Sequence, residues 1–441
     1  MSLEQSIKDN AKKFLEKSKE KEILVVSHFD TDGISSAAIM TKALKELDLN
    51  FSVKIMKGLE KEDILSLPKN KIILFLDLAS GSLHHLEESE LKDIFIIDHH
   101  EIIYNIPSNV TMINPDLHEK QKLSASALTY LFCKEISKTT EIAKLAVLGM
   151  IGDCLDKELD KLNHGILEDN DIKRKRGVLI YPSTRPLNRA LEFSSSPFIP
   201  GVTGDIKGVM DLIREAGIGQ IDGRYKSLLE LDEKEMTKLT TAIMLRLPHT
   251  RIQELVGDIF LLKFFNKLED ARELSAKINA CSRMGEPQTA LQLCLEIASA
   301  RKRSETIYTK YKQEIVAGLK HIEDGAEKYE GKGYLIINAK QNISETIIGT
   351  MASILSNSTV YEPGKIIVTM GYFEEKIKIS ARVVADKERN LREMLNCVIT
   401  EIGGEVGGHK SAAGCVISRD KEKDFLDTLK RNLEIETIKI N

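Results

Sequence analysis

Tryptophan is absent, and aromatic residues of all kinds make up only 5% of the chain. Proteins that hold single strands mainly by stacking bases on aromatic rings need such groups, so the composition counts mildly against that mode of binding. No stretch reaches the roughly 18 consecutive apolar residues of a membrane span. That excludes an integral helical membrane protein and argues against a membrane partner. The first 21 residues are charged throughout and lack the apolar core of a secretory signal, which points to the cytoplasm. Cysteine is sparse and scattered: Cys133, Cys154, Cys281, Cys294, Cys397 and Cys415 include no C-x-x-C pair. A zinc ribbon or thioredoxin-type motif is thereby excluded, and reduced, buried thiols are expected. Charge is nearly balanced, with a formal net of −4. This rules out a globally basic nucleic-acid coat but leaves room for a local basic groove.

What is present is a chain built to fold. Of its 441 residues, 42% are hydrophobic and 29% charged, which excludes a mainly disordered protein. The length predicts about two to four domains. Up to residue 160, short apolar runs at 23–26, 51–56, 72–76 and 94–97 read as buried strands. Amphipathic patterns at 34–47, 83–91, 124–137 and 141–152 read as helices. Alternation at this pitch predicts an α/β fold with a parallel sheet and helices on both faces. Four of the ten prolines, Pro182, Pro186, Pro197 and Pro200, mark a boundary or long loop. Residues 206–325 then read as almost wholly helical. Strands return at 334–337, 365–370 and 376–384, with helices at 344–355 and 390–400.

Chemistry concentrates at the ends of the predicted strands. Strand one runs into Ser27-His28-Phe29-Asp30-Thr31-Asp32-Gly33, strand three into Asp77, and strand four into Asp98-His99-His100. Gly152-Asp153 closes a later helix, followed by Asp156, which reads as a solvated helix-end charge. Parallel strands deliver their carboxyl ends to one crevice. Taken singly, each residue has a commonplace explanation, since aspartate after a strand often caps the next helix. Together they put more carboxylates in one place than can ionise unaided, and divalent cations are the usual remedy. Mixed carboxylates and imidazoles suit manganese best, with magnesium or zinc as alternatives. The donors suffice for two ions, which can activate a water and stabilise the leaving oxygen of a phosphoester.

These motifs resemble the four motifs of the DHH phosphoesterase superfamily. Gly403-Gly404-Glu405-Val406-Gly407-Gly408-His409-Lys410-Ser411-Ala412-Ala413-Gly414 is similar to the signature of the DHH-associated substrate domain. In the middle, Glu273-Leu274-Ser275 with Asn279 to Gly285 resembles archaeal RecJ-like nucleases. The resemblance implies a DHH catalytic domain over 1–185, a linker and helical insertion over 186–300 and a connecting helix over 301–330. A smaller α/β DHH-associated domain would follow over 331–441. It also implies a catalytic set of Asp30, Asp32, Asp77, Asp98, His99, His100 and Asp153 working with two Mn2+, or Mg2+ in substitution. His28 and Asp30 would hold one ion, Asp32, His99 and Asp153 the other, and Asp77 would bridge. His100 would face the scissile phosphate or support the ligands rather than ligate, and Asp98 would fix an imidazole by hydrogen bonding. Arg382 would contact a phosphate. Some RecJ-like archaeal proteins associate with the GINS complex, which the resemblance therefore implies as a partner.

The glycine-rich loop allows backbone N–H groups to approach an anion, with His409 and Lys410 adding donors or charge. Opposite a two-metal site, Gly407, Gly408, His409 and Lys410 read as a clamp on a phosphodiester backbone or a terminal phosphate. The run Lys173-Arg174-Lys175-Arg176, with Arg185 and Arg189, reads equally as a track for single strands or as a solvated turn. Phe29, Tyr181, Phe193 and Phe198 are open to either base stacking or core packing. The expected function is a metal-dependent exonuclease on single-stranded DNA, with RNA plausible, working 5′ to 3′ in DNA replication or repair. The rivals are an oligonucleotide or cyclic-dinucleotide phosphodiesterase and a non-catalytic replication scaffold.

Overall fold

The computed structural model describes residues 2–118, 121–139, 141–157, 159–168, 172–194, 197, 199–247, 255–358, 360–385 and 389–440, without the side chains of residues 405, 409 and 435–440. The chain is an α/β protein of two compact units. One comprises residues 1–176 and 257–308, the other residues 177–256 and 309–441.

The first unit opens with α1 (Leu3–Ser18), capped by Ser2, whose hydroxyl accepts from the Gln5 N–H. Leu3, Ile7, Ala11 and Phe14 recur on one face of this helix and are buried. Strand and helix then alternate: β1 (Ile23–His28), α2 (Thr31–Glu46), β2 (Phe51–Met56), α3 (Lys61–Leu65), β3 (Ile72–Leu76), α4 (Leu83–Glu87), β4 (Ile94–Ile97) and β5 (Val110–Ile113). The five strands are parallel in the order β2-β1-β3-β4-β5. β3 shows why this sheet is central. Ile72, Leu74 and Leu76 enter the cluster on one face, while Ile73 and Phe75 enter the cluster on the other. A strand covered on both faces has no position for a polar residue, hence its unbroken apolar run. Burying each such side chain contributes about 1.5–3 kcal/mol. Helices α5 (Ala125–Ile136), α6 (Ala143–Gly152) and α7 (Lys161–Glu168) follow, then β6 (Lys173–Val178).

After β1 the chain visits β2 on one side, then crosses to β3 on the other. The sheet order therefore reverses between β1 and β3, and such a switch point leaves a crevice at the strands' carboxyl ends.

Residues 178–255 build a core of their own around α8 (Leu187–Glu192), α9 (Ile206–Glu215) and α10 (Glu233–Met244), with a two-stranded ribbon of β7 (Gln220–Ile221) and β8 (Arg224–Tyr225). The chain then forms β9 (Val256–Phe264), β10 (Lys267–Asp270), α11 (Ala271–Arg283), α12 (Pro287–Cys294) and the long α13 (Ala298–Asp324). The expectation of almost wholly helical structure over 206–325 is thus corrected. β9 and β10 form a hairpin whose two turn residues, Phe265 and Asn266, both have positive φ, at 48° and 60°. Two left-handed residues match the twist of the paired strands. The basic run is also not a turn, because Lys173–Val178 is β6, third strand of the sheet β10-β9-β6.

The remaining elements are β11 (Glu327–Gly331), β12 (Tyr334–Asn338), α14 (Glu345–Ser356), β13 (Ile366–Phe373), β14 (Lys376–Val383), α15 (Leu391–Ile402), β15 (Glu405–His409), β16 (Ala412–Ser418) and α16 (Glu422–Ile440). Their mixed six-stranded sheet has the order β11-β12-β13-β14-β16-β15. The glycine-rich segment expected as a loop is largely strand, since β15 pairs antiparallel with β16. Gly408 sits there at φ +108°, where an added Cβ would come within 2.4 Å of the Ala412 carbonyl oxygen. Among the described residues no helix is long and apolar enough to cross a membrane.

Candidate metal centre

The crevice between β1 and β3 collects all eight acids and imidazoles that the sequence singles out for the centre. His28 ends β1, Asp77 follows β3, and Asp98, His99 and His100 follow β4. Asp30 caps α2, accepting from the Gly33 N–H at 3.1 Å, and Asp32 lies in that helix's first turn. Asp153 caps the carboxyl end of α6. Donor atoms gather within 4.8 Å in two separate sets, His28–Asp30–Asp77 and Asp32–His99–Asp153, and in a third, Asp77–His99–His100, that shares a member with each. Asp77 links them. Its Oδ2 lies 3.4 Å from His28 Nδ1 and its Oδ1 lies 3.5 Å from His99 Nε2. His99 Nε2 is also 3.0 Å from Asp153 Oδ2.

Asp32 is fully buried, and its carboxylate accepts from the N–H groups of Ala125 and Ser126 at 2.7 and 3.0 Å. These are the opening N–H groups of α5, which no helical carbonyl can satisfy. Gly149 lets α6 close on this corner, because an added Cβ would lie 2.3 Å from Asp32 Oδ1. Gly33 serves the facing helix, where a Cβ would meet the His28 carbonyl oxygen at 2.3 Å.

Crowding shows in the ionisation of the cluster. Burial, then the charge of Asp77, pushes Asp32 up to about 6. Burial and the charge of Asp32 do the same to Asp153, also to about 6. Asp77 is raised by burial and by Asp30. Burial works against a charged His28, yet the Asp30 carboxylate outweighs it and raises the imidazole well above its ordinary value. For His99 burial is likewise overcome, by Asp153 and Asp77. Without other cations, protons on imidazoles must neutralise the carboxylates. The buried Nδ1 of His28 and Oδ1 of Asp77 complete no hydrogen bond among the described residues. Convergent carboxylates and imidazoles with orphaned donor atoms fit divalent metal ions.

Asp98 does different work. Its Oδ1 accepts from His99 N–H at 2.8 Å and pairs with His100 Nδ1 at 2.7 Å, while Oδ2 accepts from the Ser80 N–H at 3.1 Å. Despite burial, these partners, His100 above all, hold its carboxyl well below the usual range. Burial disfavours a charged His100, but Asp98 overrides this and raises the ring to about 9. Asp98 therefore sets the orientation of His100, whose side chain is 38% exposed.

Residues 22–150 match the DHH family N-terminal domain, and residues 331–434 match the DHHA1 domain. The chain thus carries two segments similar to the paired domains of DHH/DHHA1 phosphoesterases. Between the two, residues 180–256 match the DHH-CID domain. An uncharacterized protein of Methanocaldococcus jannaschii is 29% identical over 427 residues, which span 92% of this chain and 91% of the relative. Among solved structures, RecJ in complex with Mn2+ from Thermus thermophilus aligns at a TM-score of 0.61 and 16% identity. The alignment covers 97% of this chain and 55% of that RecJ, so the chain spans about half its length. CDC45 from Entamoeba histolytica aligns at a TM-score of 0.67 and 12% identity, covering 98% and 99% of the two chains. Identities this low establish a shared fold.

In the DHHA1 domain, Arg382 lies on β14 and is half-buried. Its Nε donates to Ser353 Oγ at 3.1 Å and its Nη1 to Ser380 Oγ at 3.0 Å and the Ala381 carbonyl at 2.8 Å. Gly407, Gly408 and the His409 backbone belong to β15, and exposed Lys410 follows. The His409 side chain and all of Phe198 lie outside the described residues. Phe29 and Tyr181 are half-buried, whereas Phe193 is exposed.

Asp156 is a correction: it is not solvated but buried against Arg272, its ion-pair partner from α11. Several supporting groups were not singled out from sequence. Buried Asn114 donates to the His100 carbonyl at 2.9 Å and to Ser80 Oγ at 3.3 Å. Thr31, between the two metal-cluster aspartates, donates its hydroxyl to the Ser275 carbonyl at 3.1 Å. The signal for Asn114 was its place at the end of β5, a strand that went unrecognised.

Proposed function

We propose that this DHH/DHHA1 protein is a metal-dependent exonuclease that removes nucleotides from a free end of single-stranded DNA, with RNA as a second substrate. Carrying the proposal most is the pair of donor sets joined by Asp77 at the switch point of the sheet. Two divalent cations, manganese by preference and magnesium in substitution, would supply a water made nucleophilic near neutral pH and neutralise charge on the phosphate. His28, Asp30 and Asp77 would hold one cation, and Asp32, His99 and Asp153 the other, with Asp77 common to both. His100, oriented by Asp98, whose carboxylate favours the protonated ring, suits contact with a phosphate oxygen. Arg382 is fixed in direction by two serine hydroxyls and offers the same kind of contact from the DHHA1 domain. A 5′-to-3′ direction, a place in DNA replication or repair and association with a GINS-type replication complex belong to the same proposal.

The test is digestion of 5′- and 3′-labelled single strands, DNA and RNA, in Mn2+ and in EDTA, beside Asp30→Ala. Mononucleotides released from one end, only with metal and only by the unaltered protein, support the exonuclease. Intact long strands with consumption of two- to five-nucleotide substrates would shift the assignment to an oligonucleotide phosphodiesterase. If nothing is cut, a replication scaffold takes its place.

A further inference from the structure

Three rings stand in a column that the metal centre does not use. The centroids of His84 and His85 are 3.7 Å apart, and those of His84 and Tyr104 are 4.2 Å apart. Their planes are tilted by 43° and 39°, so the rings overlap rather than meet edge-on. The two histidines come from α4 and Tyr104 from the segment after β4. Both segments start at the centre and are tied down there. Ser80 binds Asp98, Asn114 binds the His100 carbonyl, and the Ile102 N–H donates to Asp116 at 3.3 Å. Beneath the rings, Leu83 and Leu86 of α4 share one hydrophobic cluster with Ile102 and Ile106.

The column has an unusual end. Tyr104 remains 41% exposed although His84 covers part of its ring, and the adjacent Ile103 is 50% exposed. The buried Nδ1 atoms of His84 and His85 find no hydrogen-bond partner among the described residues, so polar bonding at those atoms does not account for the stack. A held aromatic ring with exposed surface suits another flat π system, and bases stack on such rings with little regard to sequence. Tyr104 lies four residues after His100, so their Cα atoms are within about 14 Å, a span of a few nucleotides.

We propose that Tyr104, backed by His84 and His85, is a stacking platform for one nucleobase of a single-stranded substrate, a few nucleotides from the scissile phosphate. This rests on the assignment of single-stranded nucleic acid as substrate. It places one aromatic contact in a chain otherwise poor in them.

The experiment uses the full chain in EDTA, so that strands bind without being cut. Oligodeoxynucleotides carry 2-aminopurine at one position, moved stepwise inward from each end. The expected result is quenching at one position near an end. Tyr104→Ala abolishes that quench and weakens binding about ten-fold, whereas Tyr104→Phe keeps both. An abasic nucleotide at the quenched position removes the difference between Tyr104→Ala and the unaltered protein. Identical profiles and affinities for Tyr104→Ala and the unaltered protein would overturn the platform while leaving the exonuclease assignment in place. So would a Tyr104→Phe variant as weak as Tyr104→Ala. Failure of the unaltered protein to bind any strand would overturn both.

Discussion

The backbone N–H of Thr31 donates to Asn279 Oδ1 across 3.1 Å, joining residues 248 positions apart. Thr31 separates Asp30 from Asp32, one in each donor set, so a helix beyond the CID segment steadies the loop that serves both. Replacing Asn279 by alanine leaves a part-buried N–H without its acceptor, at a cost of about 1–3 kcal/mol. Metal affinity should fall by about ten-fold or more, as when outer partners of ligands are removed elsewhere. Mn2+ titration calorimetry with urea unfolding tests this. Lost stability with unchanged affinity would reduce Asn279 to a general scaffold residue.

Asp77 should matter more to metal content than any other acid. The unaltered protein is expected to hold two Mn2+, Asp30→Asn one, and Asp77→Asn none at micromolar metal. Electron paramagnetic resonance of unbound Mn2+ counts the ions. Equal stoichiometry in Asp30→Asn and Asp77→Asn would show that Asp77 is not shared.

Two helical glycines make a matched pair. Gly149→Ala drives a methyl against Asp32 Oδ1 and Ser126 Oγ, at 2.3 and 2.1 Å, and should destabilise by about 1–3 kcal/mol while displacing a metal ligand. Gly165→Ala in α7 meets nothing within 4 Å and should stabilise by about 0.4–1 kcal/mol. Chemical denaturation of both variants decides. A neutral Gly149→Ala would mean that α6 recedes without cost.

Metal affinity should rise with pH. Asp32 and Asp153, pushed up to about 6, take on protons as pH falls through that value. His28 and His99, raised well above their ordinary value, still carry protons that a cation must displace. Both effects weaken binding in acid, so Mn2+ should bind more tightly at pH 8 than at pH 5.5 and release protons on binding. Calorimetry in buffers of different ionisation enthalpy measures the release. A pH-independent affinity would contradict this protonation scheme.

Much of the centre is legible in the amino-acid sequence alone. β3 and β4 are continuous apolar runs because both their faces are covered, each stopping just before the first acid it delivers, and β1 is apolar from Ile23 to Val26 before Ser27 and His28. β6 escapes recognition because Lys173-Arg174-Lys175-Arg176 has no apolar alternation to betray a strand. The hairpin of β15 and β16 escapes because glycine-rich strands carry few side chains to show a period. Asp156 reads as solvated because its partner, Arg272, lies 116 residues away. Pairings over such distances are properties of the fold and leave no local trace. The same holds for Asn279 and Thr31.

The first unit is discontinuous, with the residues of the CID segment emerging between its two parts. A ribosome therefore makes every acid and imidazole of the centre at least 126 residues before it makes Asn279. At roughly 5–20 residues per second, a nascent chain spends about 6–25 seconds with all of these groups made and Thr31 unbraced. Assembly of the centre is thereby ordered in time, ligands first and their fastening last, and it finishes only when the chain folds back after the CID segment.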